Sequence, residues 1–360
     1  MYDDICSFIS LAASFSKARI SHRYAVVVAN YSFQLEANLF NLQSRLEDRT
    51  YHPRPYKQFT VTKPKTRRVS APYFEDRIVQ HSLVSQIEPI FEKLFIYDSY
   101  ACRKNKGTHF ALKRLKKFLR ASASKYPNEE IFILKCDIRK FFQSISWDIL
   151  VKIISQKIEE TETLWLIKQF IVGFQIKEKH LSKTSEQLSL FEPEDLPVSS
   201  ICRQGLPIGN LTSQLFANIY LNRLDYFVKQ NLKEKYYGRY MDDFFIISPD
   251  KEKLKEDREK IRLFLQEVLK LELHPRKTFI QKVDQGVCFV GYRVFANYVL
   301  VRGSTLINFC QKYSKKRKKY KKGLIDQDKL ERCQQSFRGH LKHANAYSLS
   351  QKMFGKEKKD

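Results

Sequence analysis

The chain has 360 residues, enough for two or three packed subdomains, and its 43% hydrophobic content is ordinary for a globular protein. With 65 Lys+Arg against 39 Asp+Glu it carries a net charge of +26, so the expected partner is a polyanion, with a membrane surface as the alternative. No apolar run approaches the ~20 residues that span a bilayer, the acidic start Met1-Tyr2-Asp3-Asp4 lacks the basic head of a secretory signal, and seven cysteines without metal-ligand spacing fit a reduced cytoplasm better than a disulfide scaffold.

Residues 1–50 read as helical, with apolar positions such as Phe8, Leu11 and Phe15, then Leu35, Leu39, Leu42 and Leu46. From Tyr51 to Pro72 the chain turns β-rich, basic and proline-punctuated, with Phe59-Thr60-Val61-Thr62 followed by Lys63 to Val69. From the residues alone this is either a solvated basic loop or a hairpin reaching over a phosphate-bearing ligand. A helix opens near Tyr73 with Glu75 and Asp76 in its first turn; its Asp76-Arg77 pair reads as structural, and His81 as a core or surface group. Residues 99–128 hold nine Lys/Arg and no acid around the apolar positions Phe110, Leu112, Leu115, Phe118 and Leu119, a basic amphipathic helix.

The next elements carry chemistry. Ile131 to Cys136 is a short apolar run delivering Asp137 at its end, ahead of a helix near Trp147–Ile158. A polar stretch, 176–200, follows as a surface loop or insertion with no assigned role. Gly205 and Gly209 punctuate the segment from Gln204 to Asn218, from which a helix should run from Thr212 to about Gln230. Tyr236 to Arg239 and Phe244 to Ser248 read as two buried strands joined by a tight turn at Met241-Asp242. Two carboxylates at such a tip, with no neutralising base beside them in sequence, make a hard oxygen site suited to Mg²⁺. Asp137 would supply a third acid, and together the three could hold two metal ions for phosphoryl transfer.

The charged, apolar-spaced residues 251–273 read as a helix packed on a sheet, followed by Lys277 at a strand start. Phe289 to Phe295 and Tyr298 to Val301 read as a hairpin turning at Ala296-Asn297. The last sixty or so residues form a separate basic helical unit; residues 311–323 alone hold eight Lys/Arg and no acid.

Asp137 to Phe142 and Tyr240-Met241-Asp242-Asp243, about a hundred positions apart, resemble motifs A and C of reverse transcriptases. The segment Ile208-Gly209-Asn210-Leu211-Thr212-Ser213-Gln214 occupies the motif B place; its IGxxxSQ form resembles the reverse transcriptases of diversity-generating retroelements, bacterial or phage-encoded, where most others read QGxxxSP. Gln204-Gly205 lies four residues too early to be the usual pair. The resemblance implies an α+β right-hand polymerase: a helical segment over 1–50, fingers with part of the palm over 51–130, a palm with an antiparallel sheet over 131–302, and a small basic helical thumb and tail over 303–360.

It further implies catalytic Asp137, Asp242 and Asp243, with Ile138 joining them around two Mg²⁺ (Mn²⁺ as a substitute). Lys65, Arg67, Phe142, Ile208, Gly209, Gln214 and Lys277 would bind the dNTP, with Arg67 the best match to the triphosphate contact and Arg68 an alternative. Phe142 would be a steric gate against a 2′-OH, and Lys277 a proton donor to pyrophosphate. Phe289, Val290, Gly291 and Tyr292 would form the primer grip. The implied reaction is RNA-directed DNA synthesis, copying a template-repeat RNA into adenine-mutagenised cDNA that diversifies a target gene. The implied partners are template RNA, the RNA/DNA duplex, dNTPs and a small basic oligomeric accessory protein, with no membrane. An apolar Ile208 cannot donate hydrogen bonds that enforce pairing geometry, so low fidelity is expected; the alternative is that Ile208 merely packs. A retron, intron-type or phage-defence reverse transcriptase, or an RNA-binding module on a polymerase shell, are the rival readings.

Overall fold

The computed structural model describes residues 1–20, 22–62, 66–173 and 203–355. The polar stretch 176–200, Lys65 and the last five residues of the Lys-rich tail lie outside them. The chain forms two units that interleave in sequence: one comprises 1–96, 138–226 and 263–272, the other 97–137, 227–262 and 273–360.

In the first unit, helices Tyr2–Cys6 and Phe8–Ala18 pack against the helix Phe74–Glu92, and Leu35–Glu47 packs on those two. Leu11, Phe15, Leu39, Leu42, Leu46, Ile78 and Leu83 are buried, as their helical spacing requires. Asp76, 1% exposed, accepts hydrogen bonds from the Tyr51 hydroxyl at 2.7 Å and the Arg54 amide at 3.1 Å. It thereby fixes the chain just before an exposed hairpin, β1 (Lys57–Val61) and β2 (Arg67–Ala71). Burial pushes the Asp76 carboxyl up to about 6, opposed by those two hydrogen bonds.

The second unit is built on an antiparallel sheet. Its strands are β3 (Phe132–Asp137), β4 (Tyr236–Tyr240), β5 (Asp243–Ser248) and β6 (Phe279–Lys282), ordered β4-β5-β3-β6. β4 and β5 are almost continuously apolar and almost continuously buried. The basic helix Thr108–Lys125 turns Leu112, Leu115 and Phe118 into a core shared with Ile133, Phe245 and Phe289.

A second, three-stranded sheet follows: β7 (Val287–Phe289), β8 (Tyr292–Val294) and β9 (Val299–Val301). The sequence predicts one continuous strand from Phe289 to Phe295. The chain instead breaks at Val290 (φ +41°) and Gly291 (φ +92°), where an apolar run conceals a turn that Gly291 permits. The β8–β9 turn at Ala296-Asn297 forms as expected, closed by the Phe295 amide on the Tyr298 carbonyl at 2.9 Å. Beyond it, helices Gly303–Lys321, Gln327–Leu341 and Tyr347–Phe354 bury their own cluster of Phe309, Cys333, Phe337 and Leu341. The helix after the glycine segment spans Leu211–Tyr226 and passes into a π-helical turn, Phe227–Asn231, rather than continuing as one α-helix to Gln230. Mixed helices and antiparallel sheet give the α+β class that the motifs imply.

Candidate active site

The turn between β4 and β5 is two residues long, closed by the pair Tyr240 and Asp243. Its first residue, Met241, holds φ +58°, which costs a non-glycine residue about 1 kcal/mol. Arg239 supports it. This residue is fully buried, and its guanidinium donates to the Met241 carbonyl at 3.2 Å and the Ser99 hydroxyl at 3.1 Å. Sequence reading gave Arg239 no role; its signal is a lone arginine in a strand otherwise made of Tyr and Gly.

β5 pairs with β3 so that Asp243 stands opposite Asp137. Opposed residues of an antiparallel pair share a face, so two acids a hundred positions apart meet by register. Asp242 occupies the second position of the turn beside them.

The expectation that no base neutralises these acids holds in sequence and fails in space. Lys277 Nζ lies 2.6 Å from Asp137 Oδ1. Lys135 Nζ lies 3.2 Å from Asp243 Oδ2. Strand pairing and the return of the chain at His274, whose amide donates to the Asp137 carbonyl at 2.7 Å, bring both lysines in. Asp243 Oδ1 is enclosed and accepts no hydrogen bond from the described residues, although the side chain as a whole is 29% exposed. Burial pushes the Asp243 carboxyl up to about 6; Lys135 opposes this, and Asp137 and Asp242 add to it.

Among the described residues no three His, Cys, Asp or Glu side chains are gathered as a ready-made metal cage. The donor chemistry nonetheless suits a hard divalent cation. Two opposed carboxylates, a third beside them and an enclosed carboxylate oxygen without a partner among the described residues are what such an ion would satisfy.

The primer-grip positions divide. Phe289 and Tyr292 are buried, the Tyr292 hydroxyl lying 2.9 Å from His340 Nδ1 and 3.0 Å from its carbonyl. The Gly291 carbonyl accepts from the Arg302 amide at 3.1 Å and the Thr305 hydroxyl at 3.3 Å. The two aromatic rings therefore build the turn, and Val290 is at its tip.

In the other unit, the motif B segment is stitched to two neighbours. Gly205 donates to the Ile145 carbonyl at 2.8 Å and Leu206 to the Phe142 carbonyl at 2.7 Å. Gln204-Gly205 thus serves the chain around Phe142, which is half-buried with its ring edge-on to Phe141 at 5.4 Å. Four residues on, Ser70 of β2 donates to the Ile208 carbonyl at 3.0 Å. Gly209 has φ +112°, and a Cβ there would stand 2.9 Å from a Val69 methyl, so only glycine lets the strand approach. Ile208 and Gly209 are in this way tied to the strand that carries Arg67.

A cavity of about 460 Å³ adjoins this junction, lined by Phe59, Val69, Gln80, His81, Gly209 and Gln214 among others. Gln80 is 1% exposed, and its amide nitrogen has no hydrogen-bond partner among the described residues. The histidine at 81 is held below its usual pKa by burial and by Arg77. Ile138, 2% exposed, directly follows Asp137 in the chain.

The family model described as reverse transcriptase (RNA-dependent DNA polymerase) matches residues 57–294. Protein YkfC of Escherichia coli (strain K12) is 25% identical over 295 residues, covering 72% of each chain. The group II intron-encoded protein LtrA of Lactococcus lactis subsp. cremoris is 24% identical over 325 residues, covering 72% of this chain and 50% of LtrA, so the chain spans about half of that relative's length. Apo telomerase from Candida tropicalis, truncated from its C-terminal domain, superimposes with a TM-score of 0.47 at 14% identity, covering 72% of this chain and 58% of that one.

Proposed function

Because the chain belongs to the reverse transcriptase (RNA-dependent DNA polymerase) family, we propose that it extends a DNA primer along an RNA template. The observation that carries this reading is the register pairing of Asp137 with Asp243, with Asp242 in the adjoining turn. Asp137, Asp242, Asp243 and the Ile138 backbone would hold two Mg²⁺, with Mn²⁺ as a substitute. When bound, such ions lower the pKa of an attacking hydroxyl and neutralise charge on a leaving phosphate.

The chain's own residues do the rest. Lys277, whose Nζ lies beside Asp137, would donate a proton to departing pyrophosphate. Arg67 presents a guanidinium fork suited to a triphosphate, aided by Lys65. The half-buried Phe142 ring is the gate that excludes a ribose 2′-OH. Val290 and Gly291 present backbone to the primer end. Template RNA and the RNA/DNA duplex meet the basic surfaces, including the face of the Thr108–Lys125 helix.

We further infer the diversity-generating type, with a template-repeat RNA copied into adenine-mutagenised cDNA and a small basic oligomeric accessory protein as partner. Ile208 supports this: its backbone is fixed by Ser70, and its side chain offers no hydrogen bond where most of the family has Gln. Among the described residues no helix is long and apolar enough to cross a membrane. The diversity-generating reading itself would put the reaction in the cytoplasm, as the work of a bacterial or phage-encoded enzyme. A group II intron-like activity is the second reading, favoured by the likeness to LtrA.

Primer extension on an RNA template containing all four bases, with Mg²⁺ and cDNA sequencing, decides among these. Errors concentrated at template adenines support the mutagenic type. Faithful cDNA moves the chain to the intron-like reading. No product with native RNA and an accessory protein supplied sinks the polymerase reading.

A further inference from the structure

We propose that Lys135 is a positioning residue, tying the catalytic carboxylate of Asp243 to the strand that leads into the primer-holding turn. The inference rests on the polymerase reading above and adds a residue that none of the family motifs named above contains.

Lys135 lies two residues before Asp137 in β3, so both side chains leave the same face of the sheet. It stands diagonal to Asp243 across the β3–β5 ladder. The side chain is 16% exposed, and its ammonium meets three neighbours. One neighbour is Asp243 Oδ2 at 3.2 Å. Another is the Cys288 carbonyl in the middle of β7, to which Nζ donates. The third is the Phe289 ring, whose centroid is 5.7 Å away.

Each contact has a consequence. By engaging Oδ2, the ammonium leaves Oδ1 of the same carboxylate enclosed and without a partner among the described residues, which orients Asp243 for a cation. By holding the Cys288 carbonyl, it fixes β7 two residues before Val290, where the chain breaks into its turn. One charge-assisted link therefore sets both the acid and the element that would present the primer end. An apolar side chain of similar length would fill the space and sever both connections.

The test uses the full chain on a primer–template whose primer 3′ nucleotide is 2-aminopurine, a base whose fluorescence reports its stacking. Wild type, Lys135→Met and Lys135→Arg are compared first without divalent metal, then in single-nucleotide extension with Mg²⁺. The expected result for Lys135→Met is a changed 2-aminopurine signal in the metal-free complex. Its kcat should fall roughly 10²-fold, as a misplacement of about 1 Å would produce, with the dNTP KM within about threefold. Lys135→Arg should restore the signal and most of kcat. If Lys135→Met does not fold, Lys135→Gln, which keeps a donor for the carbonyl but loses the charge that engages Asp243, should show the same fall in kcat. Wild-type signal and kcat in Lys135→Met or Lys135→Gln would overturn the inference while leaving the polymerase reading intact. A wild-type chain that extends no primer would instead remove the reading on which it rests.

Discussion

Two hairpins carry this molecule's candidate chemistry, and they are built in opposite ways. The β4–β5 hairpin is buried along nearly its whole length, and its acidic tip is braced by Arg239, Lys135 and Lys277. The β1–β2 hairpin is exposed along most of its length. It is held at its root through Asp76 and along one edge by Ser70 on Ile208. Catalytic carboxylates demand fixed geometry, and a buried strand pair supplies it. A basic arm that grips a charged ligand needs reach and can leave its guanidinium solvated until the ligand arrives.

The largest effect should come from the braced tip. Asp242→Asn is expected to lower primer extension by about 10³-fold or more, because a neutral amide replaces a hard anionic oxygen. Stability should stay within about 0.5 kcal/mol, since the residue is only half-buried in a surface turn. Single-turnover extension together with thermal melting checks both parts. A variant within tenfold of wild type would remove the acid from the mechanism.

Arg239 tests whether bracing matters. Arg239→Leu leaves the Met241 carbonyl and the Ser99 hydroxyl without their buried donor. The expected cost is about 3 kcal/mol, a fall in Tm of roughly 5–10 °C, with activity falling in the surviving fold. Calorimetry reads this directly, and an unchanged Tm would mean that the turn holds itself.

The difference between the hairpins also explains what could be read from sequence. β4 and β5 announced themselves because burial on both faces favours aromatic and β-branched runs, here broken only by Gly238 and Arg239 before the two acids at the tip. Asp137 was legible for the same reason. The lysines were not, since Lys135 and Lys277 reach the acids through β-register and a chain return, which no local pattern encodes. The break at Val290-Gly291 hid inside a strand-like apolar run. For the basic hairpin, composition left two readings open, and only its resemblance to a known family gave Arg67 a role. Nothing local in Gln204-Gly205 told that it serves the Phe142 segment while Ile208-Gly209 serves β2.

At the root of the exposed arm, Asp76 gives a pH signature. Its folded pKa, pushed up to about 6, lies above the ordinary 3.8. The folded state then holds the proton more tightly than the unfolded chain, so this group's stabilisation is present below pH 4 and is lost as pH rises to about 6. That loss is on the order of 3 kcal/mol. Asp76→Asn cannot titrate, so its stability should decline less between pH 4.5 and pH 7. Urea unfolding of both proteins at the two pH values isolates the term, because the other groups cancel in the difference. Parallel pH profiles would show that Asp76 titrates normally.

The smallest effect belongs at the far end of the arm. Arg67 is exposed and stands opposite Val61 where the two strands open. Arg67→Ala should raise the dNTP KM about tenfold and leave kcat within about threefold, the signature of a contact made equally in ground and transition states. Tm should not move. Successive residues of a strand face opposite sides, so Arg67 and Arg68 cannot both meet one ligand from β2. Arg68→Ala is therefore the matched comparison: a KM effect confined to Arg67 assigns the triphosphate face of the hairpin. The reverse result assigns the other face and moves the contact by one residue. Equal, small effects from both would mean that the arm acts through its net charge alone, and KM would then track ionic strength in both variants as in wild type.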